Sequence, residues 1–271
     1  MRKKFRNVNL IFGGSILLFF ICLMIISFFY TPYDVNAMHV SDKLQGPSAT
    51  HWFGTDKFGR DILSRVMVGT QTGFLVGAIV VTMGLILGTL IGGIAGYKGG
   101  WIDEIMMRCI DGLMAFPGII LAIMIVAVFG TGILNTSIAL GILATPGIAR
   151  IARSGFMQQK ELEYVEAAKS IGLHPVKIVF REILPNIYSP LIVAGSVAFA
   201  IALLAEASLS YLGLGVQPPD PSLGYMLKES QEYLSTSPWY ALAPGITITM
   251  IVLGFYMLSN GVRDMTDVHG R

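Results

Sequence analysis

The chain has 271 residues, 54% of them hydrophobic and 13% charged, with a formal net charge of +2 and a mean hydropathy of +0.66. Soluble domains carry about 25% charged residues, so half the usual charge is missing, which excludes a disordered chain and most soluble enzymes. Two cysteines make no disulfide framework, the small net charge leaves no footprint for nucleic acid, and an integral membrane protein remains.

A spanning helix needs about 20 mainly apolar residues. Residues 10–30 are a first uncharged run, behind the basic start Arg2, Lys3, Lys4 and Arg6. This run exceeds the apolar core of a signal peptide, about 7–15 residues, and reads as an uncleaved anchor. Residues 66–97 are uncharged and hold a second span at about 74–96. Residues 112–149 suffice for two spans with a tight turn near Gly130-Thr131-Gly132, and residues 187–205 and 239–258 supply a fifth and a sixth. The expected fold is all-α, with six transmembrane helices.

With the N-terminus inside, most of the 19 basic residues fall on inner segments, and only Lys43, Lys57, Arg60, Arg65 and Lys228 on outer ones. Lysine and arginine favour the cytoplasmic side, so both termini are expected to be cytoplasmic. Cys22 and Cys109 read as plain thiols.

Gly84, Gly88, Gly92 and Gly96 recur every four residues and share one face of the second span. Small residues let membrane helices approach closely; a crossing within the chain is the first reading and a subunit interface the second. The fifth span carries a similar stripe at Ala194, Ala198 and Ala202. Pro117, Pro146, Pro190 and Pro244 interrupt four spans and can bend them. No acid or histidine sits mid-span, Asp111 lying near an inner end and Glu206 near an outer one. Ion-driven carriers bind their coupling ion at depth through such groups, so the energy for transport is expected from a partner.

The most polar inner segment is residues 150–186. In it Tyr164, Ala167, Ala168 and Ile171 recur at helical spacing, Gly172 stands where a left-handed cap suits glycine, and His174-Pro175 makes a turn. A second helix has Val176, Val179, Phe180 and Ile183 on one face, and Pro185 leads into the fifth span. The segment reads as a helix–turn–helix on the inner membrane surface.

Glu166-Ala167-Ala168, Gly172 after three intervening residues, and Leu184-Pro185 resemble the EAA loop of ATP-binding-cassette (ABC) importer permeases, with Glu182 where that pattern has isoleucine. Gly54-Thr55-Asp56-x-x-Gly59-Arg60-Asp61 resembles a signature of the dipeptide/oligopeptide/nickel permeases. Tyr97 to Asp103, Arg108-x-x-Asp111 and Ser208 to Gly215 with Pro218-Pro219 resemble further stretches of that group, although Leu223 stands where its members usually carry tryptophan. The resemblance covers nearly the whole chain and is to the C-type permease of a heterodimeric pair.

That resemblance implies the architecture of a type I ABC importer permease in the plasma membrane of a prokaryote. It implies no catalytic residue and no cofactor here, with ATP and Mg on partner ATPases. The partners implied are a homologous B-type permease, two cytoplasmic ATP-binding subunits under the EAA loops, and an extracytoplasmic binding protein; membrane lipid surrounds the chain. Residues 1–65 are then an anchor helix (about 10–30) with an extracytoplasmic segment, and residues 66–271 a five-helix core with the coupling loop at about 150–186. Glu166, Ala167, Ala168, Gly172, His174, Leu184 and Pro185 would form that loop. Di- or oligopeptides are the first substrate expected and nickel or a metal chelate the second, toward which the short stretch before the first span leans.

Asp56, Arg60 and Asp61 suggest an ion-pair network, read first as a structural clamp and second as a substrate contact, since exposed pairs contribute only about 0–1 kcal/mol. Residues 225–234 read equally as a short helix facing a docked binding protein or as a solvated loop. His39, His51, His174 and His269 are scattered without chelating spacing, so no metal site is expected. An autonomous channel or ion-coupled carrier, and a non-transporting scaffold or sensor, are the rival classes.

Overall fold

The computed structural model describes residues 8–266; Arg2, Lys3, Lys4, Arg6 and His269 lie outside them. The helices are α1 (Val8–Ser27), α2 (Ile62–Lys98), α3 (Gly100–Met114), α4 (Gly118–Phe129), α5 (Ile133–Gln159), α6 (Glu163–Ser170), α7 (Pro175–Lys177), α8 (Tyr188–Tyr211), α9 (Leu223–Ser230) and α10 (Pro238–Thr266). Among the described residues, five runs are long and apolar enough to cross a membrane: α1, α2, α5, the continuous run Pro175–Tyr211, and α10. A sixth exists only as α3 and α4 together, bent by 86°.

That bend falls at Pro117, one of the prolines expected to interrupt a span, within the uncharged run 112–149. Pro117 lacks an N–H and disfavours helical backbone in the residue before it, so α3 ends at Met114 and α4 starts at Gly118. The 12 residues of α4 rise only about 18 Å, against a hydrocarbon core of about 30 Å. The expected turn is present, with Gly130 and Gly132 at positive φ between α4 and α5. Of the other prolines, Pro146 and Pro244 stand inside α5 and α10, whereas Pro190 falls in the first turn of α8, where a missing N–H costs no intrahelical bond.

With 37 residues, α2 is longer than its apolar stretch. It starts at Asp61, whose carboxylate accepts the Ser64 N–H at 2.8 Å and the Ser64 hydroxyl at 2.7 Å, a side-chain N-cap. The boundary expected between residues 65 and 66 therefore falls within one helix. α1 runs antiparallel along α10, with Gly13 against Gly254 and Leu258, and Gly261 against Leu10.

The glycine stripe of α2 is spent within the chain. Gly84 and Gly88 meet Ile148, Gly92 meets Ala149 and Ala152, and Gly96 meets Arg153 and Phe156. The two sequences advance together, so α2 and α5 cross in parallel, with backbone close to backbone. In lipid such van der Waals contact replaces the hydrophobic drive between helices. Farther toward the start of α2, Gly73 and Gly77 take Leu203 and Phe199 of α8.

Two ends of the bundle follow. One holds the start of α2, α9 and the start of α10; the last turn of α1 joins it through the Gln71 amide, which donates to the Ser27 hydroxyl at 2.7 Å. The opposite end holds Lys98, the close of α5, the 160–187 hairpin, and the first turns of α1 beside the last turns of α10.

Candidate functional site

The hairpin opens with α6, which has Glu163 and Glu166 in its first turn and Lys169 in its last, charges that complement the helix dipole. Its end is a Schellman closure: the Gly172 N–H donates to the Lys169 carbonyl at 2.9 Å and the Leu173 N–H to the Ala168 carbonyl at 3.1 Å. Gly172 has φ +77°, a conformation that a Cβ penalises. His174 is the N-cap of α7, its Nδ1 accepting the Val176 N–H at 3.4 Å.

Burial divides each of the apolar stripes read from the sequence. In α6 the buried residues are Val165 and Ala168, with Tyr164 half-buried, whereas Ala167 and Ile171 face out and Ile171 is 77% exposed. In the second arm the backbone passes from α7 into a π-helix at Ile178–Ile183 and a 3-10 turn at Leu184–Ile187 before α8. The wider π turn brings residues five apart onto one face, so Ile178 and Ile183 are buried and Val176 and Phe180 exposed. Leu184 packs partly into this core and Pro185 is exposed. Ile178, Ile183 and Ile187 meet Phe156 of α5 in a single core. The Tyr164 hydroxyl donates to Gln159 Oε1 at 2.7 Å; its burial, outweighing a hydrogen bond from Asn186, holds the phenol above its ordinary pKa.

Glu166, Ala167, Ile171, Gly172, Val176 and Phe180 thus form an outward surface with apolar side chains projecting from it. Beside it, α3 is tied to α5 by paired charges. Arg153 grips Asp103 with two bonds, at 2.5 and 2.6 Å, and Arg150 meets Asp111 at 2.6 Å.

At the other end, Gly54, Thr55, Asp56, Gly59, Arg60 and Asp61 are all buried. Asp56 Oδ1 accepts the N–H groups of Phe58 and Arg60, and Arg60 Nε reaches Asp56 Oδ2 at 2.5 Å. The second arm of the same guanidinium reaches Glu229 of α9 at 3.2 Å. Glu229 also takes Lys57 at 3.3 Å and the Tyr240 hydroxyl of α10 at 3.2 Å, and Arg65 lies 3.8 Å from Asp56. Asp61 stands apart from these pairs: besides capping α2 it bonds His51 at 2.9 Å. At φ +76°, Gly59 lies so close beneath the His39 carbonyl that a Cβ would overlap it.

The ion pairs expected of Asp56 and Arg60 are therefore present but buried, and they extend to residues that sequence reasoning did not select. Arg65, a lone charge in the first turn of an apolar helix, was a usable signal. Glu229 and Tyr240 gave none, because partners 169 residues apart leave no local spacing; the same holds for Asp103 and Arg153. Residues 225–234 are not a solvated loop: α9 starts at Leu223, capped by Ser222, and buries Leu223, Met226 and Glu229.

Between the ends, α4, α5 and α8 line an open cavity of about 970 Å³. Its wall is mainly apolar and includes Ala194, Ala198 and Ala202, with Asn186, Ser189 and Arg263 as polar members.

The comparisons agree with this architecture. A family model described as "Binding-protein-dependent transport system inner membrane component" matches residues 88–267. The chain is 43% identical over 262 residues to the dipeptide transport system permease protein DppC of Alkalihalophilus pseudofirmus, covering 97% of this chain and 86% of that protein. It is 39% identical to the glutathione transport system permease protein GsiD of Pectobacterium atrosepticum, covering 98% and 89%. Its fold resembles that of the inward facing MetNI methionine ABC transporter in its CY5 selenomethionine-soak crystal form, with a TM-score of 0.55 at 20% identity over 78% of this chain and 97% of that one. The chain belongs to the binding-protein-dependent transport system inner membrane components, the permease chains of ABC importers.

Proposed function

We propose that this chain is one of the two transmembrane subunits of an ATP-driven importer of di- and oligopeptides, lining the path with a homologous B-type permease. The observation that carries the reading is the hairpin at 160–187, whose outward surface presents Ala167, Ile171, Val176 and Phe180 to solvent while its inner face is packed on α5 and α8. Large apolar side chains left bare on a short polar segment fit a partner that covers them, and the reading gives that place to an ATPase subunit. Two such subunits would bind ATP and Mg, with no catalytic residue or cofactor on this chain. The hairpin end and both termini would be cytoplasmic, and the buried clamp would stiffen the end facing an extracytoplasmic binding protein. ATP-driven closure of the ATPases would rock the hairpins and expose the path to alternate sides as rigid bodies.

Two features support peptides as cargo. The relatives named above handle a dipeptide and glutathione, and the apolar cavity offers few fixed polar contacts, which suits varied side chains passing with weak binding. The test is uptake in cells lacking the gene against the same cells restored, with labelled dipeptide, oligopeptide, glutathione and nickel in parallel. Loss of peptide uptake alone is the expected result. Loss of nickel uptake alone would overturn the substrate reading, and unchanged uptake of all four would overturn it as well.

A further inference from the structure

Glu206 is a buried carboxyl that the reading above does not use. It is 1% exposed in α8. One oxygen, Oε1, accepts two hydroxyls: Ser210, one turn on, at 2.7 Å, and Ser222, at the head of α9, at 3.0 Å. Among the described residues no lysine, arginine or histidine comes within ion-pair distance of it. An acid retained inside a spanning helix without a cation is costly and calls for a role.

Its surroundings point to that role. The Ser222 hydroxyl also accepts the Tyr225 N–H as the N-cap of α9. Gly224 presses on Ala207, the residue after Glu206, so closely that a Cβ would overlap it. At its far end α9 delivers Glu229 to Arg60, Lys57 and Tyr240. In the other direction α8 is continuous with the hairpin arm, Pro175–Tyr211 forming one 37-residue run. Clamp, α9, Glu206, α8 and hairpin are thus one physical line between the two ends of the molecule.

Resting on the importer reading, we propose that Glu206 is the positioning residue that joins α9 to α8, so that a binding protein engaging the clamp end moves the hairpin. Its hydrogen bonds to neutral hydroxyls need an acceptor, not a charge, so Gln can replace Glu and Leu cannot.

The test uses the complete complex of both permeases, ATPases and binding protein in liposomes, and reads the ratio of binding-protein-stimulated to basal ATP hydrolysis. For Glu206→Leu the ratio should fall roughly five-fold or more, the lower range of site-to-site coupling, while Glu206→Gln stays near wild type. Ser222→Gly, which deletes the hydroxyl at a position where glycine is still an acceptable cap, should fall likewise and serves if the leucine variant fails to assemble. A wild-type ratio in either assembled variant, or an equal fall in Glu206→Gln, would overturn the proposal. A wild-type complex without stimulation would overturn the importer reading itself.

Discussion

Arg60 holds Asp56 with one nitrogen and Glu229, 169 residues away, with another. Through that fork a tight loop before α2 is fastened to a short helix that precedes α10. A planar guanidinium can bridge two carboxylates at fixed angles, which a lysine ammonium cannot.

Removing the fork leaves buried acids without their cation. Arg60→Ala should cost about 3–5 kcal/mol, the usual penalty for stranding half of a buried pair. Arg60→Lys should recover only part of it. Thermal unfolding of the purified protein in detergent, compared with Lys43→Ala as an exposed control, measures both.

Gly172 has nothing within 4 Å of where a Cβ would stand, yet its φ is +77°. A side chain there meets backbone strain and no collision, a cost of about 1–2 kcal/mol. Gly172→Asn, which tolerates that conformation, should keep more ATPase-subunit binding than Gly172→Val. Co-purification of the ATPase with each variant reads the order.

Close backbone approach makes a different claim about Gly92. Its Cβ would strike the Ala149 carbonyl and Ala152, so even Gly92→Ala should destabilise by about 1–3 kcal/mol. Gly14, in α1 with open space around it, should accept alanine without loss. The two melting temperatures side by side decide the matter.

Ile171 and Phe180 project from the hairpin without touching its core. Ile171→Glu and Phe180→Asp should leave the melting temperature unchanged and weaken ATPase-subunit binding by about tenfold or more, as truncation of central apolar contacts does. Undiminished binding in both would move the ATPase contact elsewhere on this surface.

Arg153 and Asp103, 50 residues apart, join α5 to α3. Asp103→Ala and Arg153→Ala should each destabilise the chain, and the double variant should lose less than the sum of the two. A double-mutant cycle by thermal unfolding gives the coupling directly.

The spanning runs were legible because lipid imposes one rule, that a stretch of about 20 residues be apolar, and the signal survives any detail of packing. The turn at Gly172 was legible for a related reason, a local backbone demand met by one residue type. The faces of the hairpin were not. Periodicity marks an apolar stripe and is silent on whether the chain itself or a partner covers it, so the spacing of Tyr164, Ala167, Ala168 and Ile171 does not separate Ala168, which is buried, from Ala167 and Ile171, which face out. In the second arm, a π turn shifts the burial period from that of an α-helix, and no residue there announces it. Asp61 misled because a carboxylate near arginines reads as an ion pair, whereas the first N–H groups of α2 had the stronger claim on it.

The crossing of α2 and α5 has a mechanical meaning. With glycine on one side, the backbone of α2 at Gly88, Gly92 and Gly96 comes within contact of the backbone of α5, and side chains such as Ile148 and Phe156 enter the seam from α5. Sliding one helix past the other would drive carbonyls into each other, so the pair behaves as a single plate. Where α8 meets α2, the contact is made instead by the tips of Leu203 and Phe199 resting on Gly73 and Gly77. Tips can turn about their own bonds. The chain is therefore stiff along one seam and compliant along the other, and the cavity, lined by Val80 of α2, Ile148 of α5 and Ala202 of α8, is bounded by helices of both.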